Sequence, residues 1–160
     1  MTQSEKPLCN LRVLDLTHAA AGPFATMFLA DLGAEVIKVE KPLTGDGTRS
    51  MGEPIKALGP KESDYYVSLN RNKQGLVIAM ATLAGADLVR QLASKSDIVV
   101  ENFRPGVTDR LGLGFDDLRK LRPHLIYASI SAFGRDGPWS KRPANDIILQ
   151  SVSGLMGITG

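Results

Sequence analysis

Residues 11–41, LRVLDLTHAAAGPFATMFLADLGAEVIKVEK, constrain the fold more than any other stretch. An apolar run over 11–16 is rich in Leu and Val, as buried parallel strands are. It ends in Thr17-His18, followed by three alanines and Gly22-Pro23. Residues 24–32 carry a helical apolar pattern. Pro23 suits a first helical position, where its missing N–H leaves nothing unpaired. Gly33 suits the position just past the helix, where left-handed backbone is needed. A second strand is predicted at 35–39. Two strands joined by so short a helical connection must lie parallel, with a right-handed crossover.

The chain has 160 residues, one domain by length and enough to bury a sizeable core. Its net charge of +2 gives no case for general polyanion or nucleic-acid binding, so the placement of basic residues matters more than their sum. The single cysteine, Cys9, excludes an internal disulfide and a cysteine metal cluster, and a reducing, cytoplasmic setting is the default. His18 and His124 stand in different contexts, which argues against a metal site. MTQSEKPLCN lacks the apolar core of a signal peptide. No run approaches the ~18 apolar residues of a membrane span, so a soluble protein without a membrane partner is expected.

Residues 42–63 have the Gly/Pro composition of a long, functional loop. Residues 65–69 and 76–80 read as strands joined by a turn at 70–75, a hairpin. Thr82 is placed to cap a helix through residue 93. A third buried strand is expected at 97–100, a short helix from Pro105 to residue 111, and another helix at 115–121. Asp116 and Asp117 in the first turn of the latter suit the helix dipole. A strand follows at 125–130, then a Gly/Pro loop at 133–143. Asn145 opens an apolar helical run in which Asp146 is expected to cap or anchor the helix. That run, DIILQSVSGLMGITG, reads as a chain stopping short, because termini are ordinarily exposed and polar.

Alternating strands and helices imply a mostly parallel sheet with helices on both faces, and ligands in such folds bind at the carboxyl ends of the strands. After the first strand come His18 and the small residues 19–22. After the second come Glu40, Lys41 and then Arg49. Asn102, Phe103 and Arg104 follow the third, with Arg110 one helix on. Ser131, Phe133, Arg135, Lys141 and Arg142 follow the strand at 125–130, and the hairpin turn adds Asn70, Arg71, Asn72 and Lys73. A basic rim beside helix N-termini, with Phe103 offering a flat face, suits a ligand carrying several phosphates and an aromatic base. Glu40 ends its strand where a ribose-binding acid would, yet the first loop reads HAAAGP and lacks G-x-G-x-x-G, which disfavours a nicotinamide or flavin site. Neither G-x-x-x-x-G-K-[ST] nor G-x-S-x-G occurs.

Five blocks in order, LRVLDLTHAAAGPFATMFLADLGAEVIKVEKP, GDGTR, LNRNKQGLVIAM, DIVVENFRPGVTDRLGLGFDDL and PHLIYASISAFGRDGP, closely resemble the class III CoA-transferases, the CaiB/BaiF family that includes formyl-CoA transferases. The resemblance implies an α/β, Rossmann-like open sheet with helices on both faces, the incomplete large domain of a CoA-transferase III fold. Residues 1–10 are then an N-terminal tail and 11–160 the N-terminal part of a CoA-binding domain. The small domain and the returning C-terminal segment are expected to be absent.

By the same resemblance, CoA would touch His18, Ala19 and Ala20 after the first strand and Lys41 after the second. Leu69, Asn70, Arg71 and Asn72 would contribute from the turn, and Asn102, Phe103, Arg104 and Arg110 from beyond the third strand. Arg142, Pro143, Ala144 and Asn145 would complete the site. Family members often have Gln at the position of Ala20 and Arg at that of Lys41; lysine keeps the charge but loses the guanidinium fork. The implied chemistry moves CoA from an acyl-CoA thioester to a free carboxylic acid through an aspartyl mixed anhydride, with acyl-CoA as substrate and no permanently bound cofactor. The family aspartate is expected beyond Gly160, so no catalytic residue is assigned here. An interlocked homodimer is implied for the full-length protein. Related α-methylacyl-CoA racemases carry a His-Asp pair at the positions of Asn145-Asp146. Asn cannot act as an acid or base near neutral pH, which favours transferase over racemase. A CoA-binding fragment without chemistry is the other alternative.

Overall fold

The computed structural model describes residues 6–59 and 62–160; residues 1–5 of the expected tail and 60–61 of the long loop lie outside the described residues. Among the described residues, five strands form an all-parallel sheet: β1 (Arg12–Asp15), β2 (Glu35–Glu40), β3 (Lys73–Val77), β4 (Ile98–Glu101) and β5 (Ile126–Ser129). Their spatial order is β3-β2-β1-β4-β5. Helix α1 (Ala21–Asp31) covers one face, with α2 (Asp64–Asn70) beside it. Helices α3 (Leu83–Ala93) and α5 (Phe115–Leu121) cover the other, and α4 (Val107–Arg110) is a single turn between β4 and α5. The chain ends in α6 (Asp146–Val152) and α7 (Met156–Thr159). No helix among the described residues is long and apolar enough to cross a membrane.

The alternation of side chains along each strand divides the core in two. Leu14, Leu16 and Val99 point to one face, against Val89 and Ala93 of α3 and Leu118 of α5. Val13, Val36 and Val100 point to the other, against Ala30 of α1. Leu14 is level with Ile37 and Val99 in the parallel ladders, so the central strand is buried from both sides. Burying each such Leu or Val contributes roughly 1.5–3 kcal/mol.

The expected hairpin is not formed. Residues 64–70 are helical, and β3 runs Lys73–Val77 parallel to β2. Ser63 supplies a cap, its hydroxyl accepting from the Tyr66 N–H at 3.0 Å, and Asp64 sits in the first turn where the helix dipole favours an acid. Tyr66 and Asn70, four residues apart, bury the same side of that helix. Asn72, with φ of 63°, then turns the chain into the edge strand. The other elements lie within three residues of their expected places, except that the expected helical run over 146–160 is broken near Gly154, with φ of 79°, into the short α6 and α7. Pro23 sits third in α1 rather than first, still inside the turn whose N–H groups lack helical partners. Asn145, not Asp146, caps α6: its side chain accepts from the Ile148 N–H.

From β1 the chain steps outward to β2 and β3, then returns to β4 and β5 on the other side of β1. The reversal falls between β1 and β4, where the loops leaving the two strands diverge and open a crevice.

Candidate functional site

A cavity of about 790 Å³ occupies that crevice. Its floor is the loop after β1, residues 18–21, and one wall is the loop after β4, Asn102 to Pro105. Residues 130–133 after β5, residues from 140 to 146 and Tyr65 of α2 complete the lining.

Each part is held by a specific contact. Asn102 clasps the floor: its side-chain oxygen accepts from the His18 N–H at 2.9 Å, and its amide donates to the His18 carbonyl at 2.7 Å. The His18 ring lies against Phe103, centroids 5.3 Å apart, and Phe103 in turn packs on the core. Buried Glu101 accepts the Phe103 N–H at 2.8 Å and faces Arg135, which also pairs with Asp109 at 2.9 Å. Arg142 lies over the Trp139 ring, 4.8 Å from its centroid, and Trp139 meets Phe133 edge to face.

Beneath the floor runs a buried polar network. Asp15 accepts from the Thr17 N–H and hydroxyl, from Thr26 and from Lys73. Lys38 donates to Asp46 and to the Thr17 carbonyl, both at 3.0 Å. Glu40 takes two bonds from Arg49, one from the Tyr66 hydroxyl and one from the Asp46 N–H. Burial works to raise the Asp46 and Glu40 carboxyl pKa values, but these donors outweigh it and hold both below the ordinary range. His18 is accessible on its cavity side, while protein packed behind it strips water and, helped by Lys41 and Lys38, lowers its pKa against the pull of Asp46. The imidazole is therefore mostly neutral at pH 7, and the cavity's positive charge comes from Arg104 and Arg142.

Of the sixteen residues expected at a ligand, ten line this cavity: His18, Ala19, Ala20, Asn102, Phe103, Arg104, Arg142, Pro143, Ala144 and Asn145. Lys41 follows β2, exposed, near enough to act on His18 through charge but outside the lining. Arg110 ends α4 on the surface, also outside it. Leu69, Asn70, Arg71 and Asn72 precede β3 at the amino edge of the sheet, away from the cavity. There Arg71 and Asn72 bind Asp31, and Asn70 bonds the Tyr66 carbonyl and Lys73. Glu40 and Arg49, two members of the expected rim, are turned on each other.

Tyr65 went unforeseen because its segment read as a strand. The roles of Lys38 and Asp46 were also missed, although Asp46 lies in the quoted GDGTR block. A second, smaller cavity of about 240 Å³ at the amino edge is lined by Cys9, Arg12, Lys95 and Arg122, with Glu35 and Asp97 pairing two of the cations at 2.7 and 2.6 Å. No group of three or more His, Cys, Asp or Glu among the described residues is arranged to hold a metal ion.

The chain is 50% identical over 157 residues to succinyl-CoA:glutarate CoA-transferase of Mus musculus, a match covering 98% of this chain and 35% of that protein. It is 44% identical over 154 residues to acetyl-CoA:oxalate CoA-transferase of Acetobacter aceti, covering 96% and 39%. A crystal structure of a CaiB/BaiF family protein from Brucella suis superimposes with a TM-score of 0.88 at 39% identity, over 97% of this chain and 41% of that one. The chain thus spans well under half the length of these relatives. Residues 8–160 match the model of CoA-transferase family III, and the chain belongs to that family.

Proposed function

We propose that this chain is the CoA-binding part of a protein that moves CoA between an acyl-CoA thioester and a free carboxylic acid. The observation that carries this reading is the cavity at the reversal between β1 and β4. Its small-residue floor leaves room for a flexible chain, and Arg104 and Arg142 at its walls suit phosphates. Lys41 and Arg110, both exposed outside the lining, would extend the contacts outward along a ligand longer than the cavity.

The chemistry begins with an aspartate, which we place outside these 160 residues. One of its carboxylate oxygens attacks the thioester carbonyl carbon, the C–S bond breaks, and CoA leaves as thiolate while a mixed anhydride forms. The thiolate then attacks the aspartyl carbonyl, releasing the first acid and leaving CoA on the enzyme as a thioester. The incoming carboxylate attacks the aspartyl thioester carbonyl and expels CoA thiolate, forming a second mixed anhydride; the thiolate then attacks the acyl carbonyl of that anhydride, which releases the new acyl-CoA and frees the aspartate carboxylate. The role of the present residues is to hold CoA so that its sulfur returns to one place, which makes each return effectively intramolecular. A cytoplasmic homodimer, with α6 and α7 covered by further protein, belongs to the same proposal.

The test incubates the protein in its full reading frame with succinyl-CoA and radiolabelled glutarate or oxalate. Label appearing in acyl-CoA is the expected result. CoA binding without any labelled thioester would reject the transferase while leaving a binding module.

A further inference from the structure

We propose that Asp46 is a positioning residue for ligand binding, which holds the Ala19 backbone amide and so presets the floor of the cavity. This inference rests on the CoA-binding reading above. Asp46 does not line the cavity and is 4% exposed, so it acts on a ligand only through what it holds. One carboxylate oxygen accepts the Ala19 N–H at 3.2 Å, together with the Thr48 N–H and hydroxyl. The other accepts Lys38 Nζ at 3.0 Å, and Lys38 also donates to the Thr17 carbonyl.

Ala19 has φ of 62°, a conformation that a residue with a Cβ adopts only when its surroundings impose it. The surroundings here are explicit. Thr17 is held by Lys38, His18 by Asn102 and Ala19 by Asp46, so three consecutive residues are tethered by three different side chains. Asp46 is itself anchored, its N–H donating to Glu40 at 2.8 Å. The Lys38 and Asp46 side chains are each 1% exposed. A buried ion pair is a poor device for stability alone, since apolar residues of similar volume do as well or better. What an apolar pair cannot supply is an acceptor for the Ala19 amide.

Two double variants of the chain isolate that acceptor. Lys38→Met with Asp46→Asn removes both buried charges but keeps a side-chain oxygen for Ala19. Lys38→Met with Asp46→Ala removes the charges and the oxygen. CoA affinity is read by calorimetry, thermal stability by scanning calorimetry, and protection of the Ala19 amide by hydrogen exchange. The asparagine variant is expected to bind CoA within a few-fold of the wild type. The alanine variant is expected to bind roughly tenfold more weakly or worse, with Ala19 deprotected. Equal affinity in the two variants overturns the proposal. If the wild type fails to bind CoA, the proposed function fails instead, a separate result. The wild type also gives a reading should the alanine variant not fold. Ala19 protected without CoA supports a preset floor, whereas protection arising only on adding CoA overturns it.

Discussion

Asn102 shows how much one side chain can do at a strand end. Its amide meets both backbone groups of His18, from a position 84 residues along the chain. Asn102→Ala removes two partly solvated hydrogen bonds, each contributing on the order of 0.5–1.5 kcal/mol, so urea unfolding is expected to show a loss of about 1 kcal/mol. Lys73 makes a different prediction. Its side chain is 2% exposed and donates to Asp15, the Pro23 carbonyl and Asn70. Burial brings its pKa down to about 8, with Asp15 pulling the other way. An unfolded lysine titrates near ~10.4, so between the two values the unfolded chain binds more protons. The Lys73 contribution to stability therefore rises with pH from about 8 and is flat below it. Tyr66, kept protonated by burial and Glu40, works against stability above about pH 10. NMR titration of the Lys73 side chain checks the midpoint; a value near that of free lysine contradicts the assignment. Residues such as Asn102 and Arg142 were legible because strand order and block resemblance point to loops after strands. Lys38 and Asp46 were not, because a lysine within a strand and an aspartate within a Gly-rich loop read as surface charges until the fold stacks one beneath the other.

At the scale of elements, helices with capping chemistry were the easiest to read. Thr82 caps α3, its hydroxyl accepting from the Gly85 N–H at 3.0 Å, and the helix ends where its periodicity does. Residues 65–69 read as a strand because alternation over five residues fits a strand and a helical turn equally, and only packing against α1 and the Tyr66 hydroxyl's bond to Glu40 decide. The sheet joined by the residues at 73–77 likewise depends on the crossover that α2 makes possible. Gly85 supplies a test of packing at this scale. A Cβ there would lie 2.0 Å from the Ala79 carbonyl oxygen and 2.6 Å from its carbon, backbone atoms that cannot turn aside. In a free helical position Gly→Ala stabilises by about 1 kcal/mol. Here Gly85→Ala is expected to reverse that sign and cost on the order of 1–3 kcal/mol in urea unfolding, by forcing α3 away from the loop.

At the scale of the whole molecule, a net charge of only +2 is divided unevenly. Asp15, Glu40, Asp46 and Glu101 are consumed beneath the surface by cations and backbone amides, while Arg104 and Arg142 remain exposed at the cavity. A polyanionic ligand meets the exposed set. CoA affinity is thus expected to fall several-fold as salt rises from about 0.05 to about 0.5 M, while pantetheine, which lacks phosphates, shows no such dependence in parallel calorimetry. The apolar side chains of α6 and α7, Ile147, Ile148, Val152 and Ile158 among them, face outward, in keeping with a chain that spans about two fifths or less of its relatives' length.

CoA is expected to occupy the cavity at the β1/β4 reversal. Titrating the ¹⁵N-labelled chain with CoA while following backbone amides tests it directly. Saturable shifts concentrated at residues 18–20, 102–104 and 142–145 are the predicted result. No saturable shifts, or shifts confined to the amino-edge cavity around Arg12 and Arg122, would contradict it.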